Sequence, residues 1–136
     1  MARVFTGKVM IPGDKLDEFF AALEKTEKAR KPFRDSLLEL NKDFHQYLLS
    51  RYSGKTARKH SGIVGPFIDF LCRYTDVERI EDITRGIVNT HFQRWWKRKV
   101  WDSTTPNEIR VALRKFFEFL AEEESLVNEK VLDALT

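Results

Sequence analysis

Apolar residues recur at intervals of three and four along most of this chain, the spacing that puts them on one side of an α-helix. The pattern is interrupted at a few points by glycine, proline and short polar runs. The first stretch, "RVFTGKVMIPG", is different: β-branched and aromatic residues surround one glycine and stop at Pro12-Gly13, which predicts a short extended or hairpin arm. From Asp14 the helical period begins. Asp14 is placed as N-cap with Asp17 three residues on, and Leu16, Phe19, Phe20 and Leu23 fall on one face. Lys31-Pro32 punctuates, and a second helix to about Arg51 carries the stripe Phe33, Leu37, Leu40, Phe44, Tyr47 and Leu48.

After the turn "YSGKT" comes a helix whose apolar face is Ala57, His60, Val64, Phe67, Ile68 and Leu71. Pro66 lies inside it with Gly62 and Gly65 beside it, so a kink or break is expected near residues 62–66. "TDVERIEDI" reads as a loop. Thr84 then caps a helix directing Val88, Phe92, Trp95 and Trp96 to the core and ending near Val100. In "DSTTPNEIR", Thr105 is N-cap, Pro106 the first helical position and Glu108 the third residue of a capping box. The helix that follows buries Ile109, Ala112, Leu113, Phe116, Phe117 and Leu120, and "SLVNEKVLDAL" supplies a last short one. The expected fold is all-α: a compact bundle of about five or six helices behind an N-terminal arm. Residues 1–31 form an arm and helix of unassigned role, and residues 32–136 the helical domain.

A length of 136 residues, with 42% apolar and 33% charged residues, suits one domain with its own core. The lone Cys72 excludes an internal disulfide and the multi-cysteine zinc patterns, and reads as a small buried hydrophobe. No apolar run has signal-peptide or membrane-spanning length, so the expectation is a cytoplasmic protein that meets no membrane.

Charge changes the picture more. The net value is +3, but residues 51–115 hold fourteen Lys or Arg against seven Asp or Glu, whereas residues 116–136 hold one against six. A basic middle and an acidic tail suggest one anion-facing surface, although charge runs are also found as plain solvated faces. Lys55, Arg58 and Lys59 occupy the first turns of their helix, opposite its apolar face. The dipole there favours acids, so cations imply a polyanionic partner. Asn107, Arg110 and Arg114 form a second row at helical spacing, of the types that bind adenine and guanine edges, unless Arg114 simply pairs with Glu118. Ser103, Thr104 and Thr105 at the start of that helix are placed to donate to phosphates. In "QRWWKRKVW", Trp95 and Trp96 extend an apolar stripe, while Arg94, Lys97, Arg98 and Lys99 suit a helix C-terminus and secondary backbone contacts. No catalytic or metal-binding motif appears and no cofactor is implied. His60 reads as a packed core histidine.

Three segments resemble the tyrosine recombinases (phage integrases). In "YSGKTARKHSGIVGPFIDFL", Ser53, Thr56, Phe67, Phe70 and Leu71 stand where that family shows serine and threonine before a basic helix closing on F-x-x-F-L. "DITRGIVNTHFQRWW" is similar to the helix after it, which opens on I-T. In "TTPNEIRVALRKFFEFLAEEESLVNEK", Thr105, Leu113, Phe116, Phe117, Phe119, Leu120 and Asn128 match a threonine, L-x-x-F-F-x-F-L and an asparagine. The resemblance covers about residues 32–130 and implies the SAM-like N-terminal core-binding domain, which grips duplex DNA with two helices in the major groove. Here those helices start near Lys55 and at Pro106. The implied DNA-binding residues are Lys55, Thr56, Arg58, Lys59, Asn107, Arg110 and Arg114, with Arg51, Arg94, Lys97, Arg98, Thr104, Thr105 and Lys115 as secondary backbone contacts.

The implied function is a double-stranded DNA-binding module for DNA integration or site-specific recombination, not catalytic by itself. A recombinase catalytic domain or further copies on DNA would be its other partners. Two departures stand out. Gly62, Gly65 and Pro66 interrupt a helix the family keeps continuous. The catalytic part is absent: His91-x-x-Arg94 mimics one of its boxes, but no tyrosine nucleophile follows Tyr74. Two alternatives stay open, a portion of a longer recombinase and a helical adaptor that meets a protein partner through its acidic last helix and Leu16, Phe19 and Phe20.

Overall fold

The computed structural model describes residues 2–5 and 11–136. Among them are five α-helices and no strand. These are α1 (Leu16–Leu49), α2 (Gly54–Tyr74), α3 (Phe92–Lys99), α4 (Pro106–Glu123) and α5 (Glu129–Leu135). A π-helical turn, Ile87–His91, leads directly into α3, and Thr84 Oγ1 accepts from the Ile87 amide at its start. Residues 2–5 are extended, with Val4 bridged antiparallel to Thr75 and the Phe5 amide donating to Tyr74. The hairpin expectation for the arm turns on residues 6–10, outside the described residues.

Amphipathic period and caps account for most of these elements. The Ser53 hydroxyl accepts from the Thr56 amide at the head of α2, and Thr105 accepts from the Glu108 amide at the head of α4. α2 is the central helix, packed between α1 and α4. Phe67 lies edge-on to Phe92 and Phe117, with ring centroids 5.0 and 6.2 Å apart. On the α1 side, Phe44 meets Phe116 and Phe119 at 5.2 and 5.5 Å. Each fully buried phenylalanine contributes about 2–3 kcal/mol of transfer free energy, so this aromatic seam sets how α1, α2, α3 and α4 sit together.

Neither Pro32 nor Pro66 ends a helix. α1 runs unbroken through Pro32, so the boundary expected at residue 31 falls inside a helix and the bundle has five helices rather than six. Pro32 and Lys28, whose carbonyl loses its donor, are both exposed, so the missing bond does not leave a buried group unpaired. The helix is also fastened on either side. The Arg30 guanidinium donates to the carbonyls of Leu71 and Cys72 near the end of α2 and of Val77 just after it, and Leu37 is buried further along α1. α2 is likewise continuous through Pro66, because Pro66 and Gly62 lie away from the face that buries Ile63, Val64, Phe67 and Ile68. The cap expected at Asp14 is also corrected. Gly13–Lys15 forms a 3₁₀ turn, and α1 starts after it without a side-chain cap.

The stripe of Leu16, Phe20 and Leu23 faces solvent, at 41, 60 and 45% exposure, ahead of the point where Arg30 fastens α1 to α2. Cys72 is half-buried against the core, and burial pushes its thiol pKa up. Among the described residues no helix is long and apolar enough to cross a membrane.

Candidate nucleic-acid interface

The first turns of α2 and α4 lie side by side. Lys59 Nζ is 3.4 Å from Glu108 Oε1, which links the two helices at their N-terminal ends. Glu108 therefore supplies no observed return bond to its own cap: its carboxylate is turned toward α2 instead. Lys59 is exposed and Glu108 partly so, and the pair contributes at most about 1 kcal/mol. Lys55, Arg58 and Lys59 are all exposed, and the first turn of α2 contains no acid. Thr56 is half-buried and engaged in the cap: its hydroxyl oxygen accepts from Ser53 at 3.1 Å.

The same face is extended from both neighbours. Lys115 of α4 donates to the Tyr52 hydroxyl at 2.8 Å and lies over that ring, and Arg51 stacks on Tyr47 with 3.9 Å from guanidinium carbon to ring centroid. Tyr52 carried no signal in the sequence, because its role depends on Lys115 arriving from a helix 63 residues away.

The polar row on α4 divides. Asn107 is exposed at the start of the helix. Arg114 pairs with Glu118 at 3.5 Å, as the plainer expectation had it. Arg110 is committed elsewhere: its Nε and Nη2 donate to the carbonyls of Leu135 and Ala134, capping α5. A cation at a helix C-terminus gains from the dipole, and this contact holds the last helix against the bundle. Arg110 is therefore chiefly a fastening for α5, and with Arg114 paired to Glu118 only Asn107 of the row is exposed without a described partner.

Arg94 and Lys97 are placed on the other flank of α4. They line a groove of about 930 Å³ between α3 and the first turns of α4, with Asn107 and Arg110 on the opposite wall. Arg98 is exposed on α3 outside this lining. Thr104 lies on the groove wall and donates to Asp102, and Thr105 is spent as the α4 cap. His91 and Arg94 face apart, since His91 lines a separate cleft beside Thr84 and Asn128. Among the described residues no three His, Cys, Asp or Glu side chains converge to hold a metal ion.

Gly62 and Gly65 now have a structural setting. Neither has a left-handed backbone, and a Cβ added at either would meet nothing within 4 Å. They are not needed for internal packing. Gly62 and Pro66 continue the line of Lys55 and Lys59 along α2, leaving that surface free of protruding side chains. Helix-interior glycine costs about 1 kcal/mol relative to alanine. Gly62→Ala with Gly65→Ala is expected to stabilise the fold by ~2 kcal/mol, seen as a higher urea midpoint. An unchanged or lower midpoint would mean that the glycines answer to something inside the fold.

His60 lies under the basic face, 7% exposed, with no partner for Nδ1. Burial, and then the neighbouring Lys115 and Lys59, lower its pKa below the ordinary 6.5. The unfolded chain thus takes up a proton near pH 6.5 while the folded His60 stays neutral to a lower pH. Stability is full above pH 6.5 and falls as the pH drops through the window beneath it. Urea unfolding on either side of that pH measures the loss, and His60→Leu is expected to flatten it.

No family model, curated protein or solved structure matches this chain.

Proposed function

We propose that this protein is a double-stranded DNA-binding module of the integrase core-binding type, serving site-specific recombination without carrying out the strand chemistry itself. One observation carries the reading: the N-terminal turns of α2 and α4 meet through Lys59 and Glu108, and around them stand exposed Lys55, Arg58 and Arg51, with Lys115 alongside. Two helix N-termini direct free amides and positive dipole ends to one surface, and the cations add to the same field. A phosphate backbone neutralises all of them at once. Asn107 is exposed on the first turn of α4, where a helix seated in the major groove meets base edges, and Arg114 would reach one only by leaving Glu118.

Duplex affinity is expected to be high at low salt and to fall with a log–log slope of about −4, one phosphate for each of four or five cations. A fluorescence-anisotropy titration over rising salt tests this. Absence of duplex binding at low salt would reject the reading.

A further inference from the structure

Trp101 is 94% exposed, unlike Trp96, which is buried, and Trp95, which packs between Phe70, Tyr74 and Phe92. Its backbone is nevertheless held. Next to it Asp102 accepts from the Thr104 amide at 3.0 Å, the Thr104 hydroxyl at 2.9 Å and the Trp96 indole at 3.3 Å. The Thr104 amide above all, then the other two donors, keep the Asp102 carboxyl below its ordinary pKa, so the staple persists as the pH falls. An indole standing in water on a pinned loop forgoes the burial that its two neighbours enjoy.

Val100 and Asp102, on either side of Trp101, both line the α3–α4 groove. The groove floor is apolar, formed by Trp96, Val100 and Ile109, and its rim carries Arg94 and Lys97, which form no salt bridge with any described residue. Opposite them is Asn107, whose amide is of the kind that pairs with a base edge. The volume of about 930 Å³ suits a small planar ligand in a partly apolar cleft. A pinned, solvent-facing aromatic beside a cationic groove is the arrangement that stacks unpaired bases and follows their phosphates. A lipid surface would need further apolar side chains beside Trp101, and its loop offers Lys99, Asp102 and Ser103 instead.

We propose that Trp101 and the α3–α4 groove hold unpaired nucleotides next to the duplex, so that the preferred ligand is DNA with a single-stranded segment rather than a blunt duplex. This rests on the duplex-binding reading, and Asn107 is shared by the two surfaces. The base of an unpaired nucleotide stacks on Trp101, and its phosphates run past Lys97 and Arg94.

The test compares a blunt duplex with the same duplex ending in a short single-stranded overhang, for the full chain and for Trp101→Ala. The parent is expected to bind the overhang probe about tenfold tighter, the worth of one stacked base, with quenching of the tryptophan emission that Trp101→Ala lacks. Trp101→Ala is expected to lose the preference and keep the blunt-duplex affinity, its fold intact because the side chain touches no core. Equal affinity of the parent for both probes, or a preference that survives Trp101→Ala, would overturn this inference and leave the duplex reading standing. If neither probe binds at low salt, both readings fail. A blue shift of Trp101 emission with phosphatidylserine vesicles, without a response to the overhang, would reassign the residue to a lipid surface.

Discussion

Replacing Arg58 and Lys59 together by alanine is expected to weaken duplex binding about thirtyfold at low salt and to reduce the salt slope by about two. Each side chain is exposed on the first turns of α2, and each is assigned one phosphate. A charge-assisted contact of this exposed kind is worth ~1 kcal/mol net, so two amount to ~2 kcal/mol, or about thirtyfold at 1.4 kcal/mol per decade. The Lys59 change has a second effect with the same sign. It frees Glu108, now 3.4 Å from Lys59, to repel the backbone from the middle of the interface. Thermal stability should scarcely move, because the exposed pair contributes little to folding. The discriminating measurement is the pair of slopes. A double variant with the parent's slope would place the phosphates elsewhere, whatever its affinity.

The largest effect on stability is expected at Asn128. It is 7% exposed, and its side-chain amide donates to the carbonyls of Ile80 and Ile83 at 2.8 and 2.9 Å while its oxygen accepts from the Val131 amide at 3.2 Å. One side chain thus caps α5 and closes the loop between α2 and α3 onto it. Asn128→Ala strands the buried Ile83 carbonyl and the Val131 amide, and takes one of two donors from the Ile80 carbonyl, which still accepts from the Ile83 amide at 3.2 Å. With ~1 kcal/mol for the cap, ~1 kcal/mol for the orphaned Ile83 carbonyl and ~0.5 kcal/mol for the bond lost at Ile80, the loss is ~2.5 kcal/mol. Chemical unfolding followed by far-ultraviolet circular dichroism measures it. Asn128→Asp, which keeps the acceptor and loses both donors, should recover only the cap. A loss below about 1 kcal/mol would show that water replaces the amide and that the loop is not closed by this residue.

The elements with strong amphipathic period were legible in the residues. The faces expected for α2 and α4 are buried as expected, and Ser53, Thr84 and Thr105 each cap the helix they precede. Both proline positions were misleading as helix ends, for one reason. The cost of a helical proline depends on whether the orphaned carbonyl faces water and on what the opposite face buries, and neither is written within four residues of Pro32 or Pro66. The stripe through Val88, Phe92, Trp95 and Trp96 ends with α3 at Lys99, and that helix end was the available sign that Trp101 lies outside the core.

The candidate interface divides along the same line. By itself the amino-acid sequence determined the helical segments beyond Pro32, their buried faces, and the excess of cations on the exposed side of α2, because all of these depend on residues within one or two turns of each other. Tertiary structure decided which polar groups are still free. Arg110 is consumed by α5 carbonyls 24 and 25 residues away, Lys115 is turned onto Tyr52, and Lys59 is joined to Glu108, while Lys55, Arg58 and Asn107 remain exposed. A side chain's charge is a local property, but its partner is set by which helices the aromatic seam brings together, and that choice is made only when the whole core is packed.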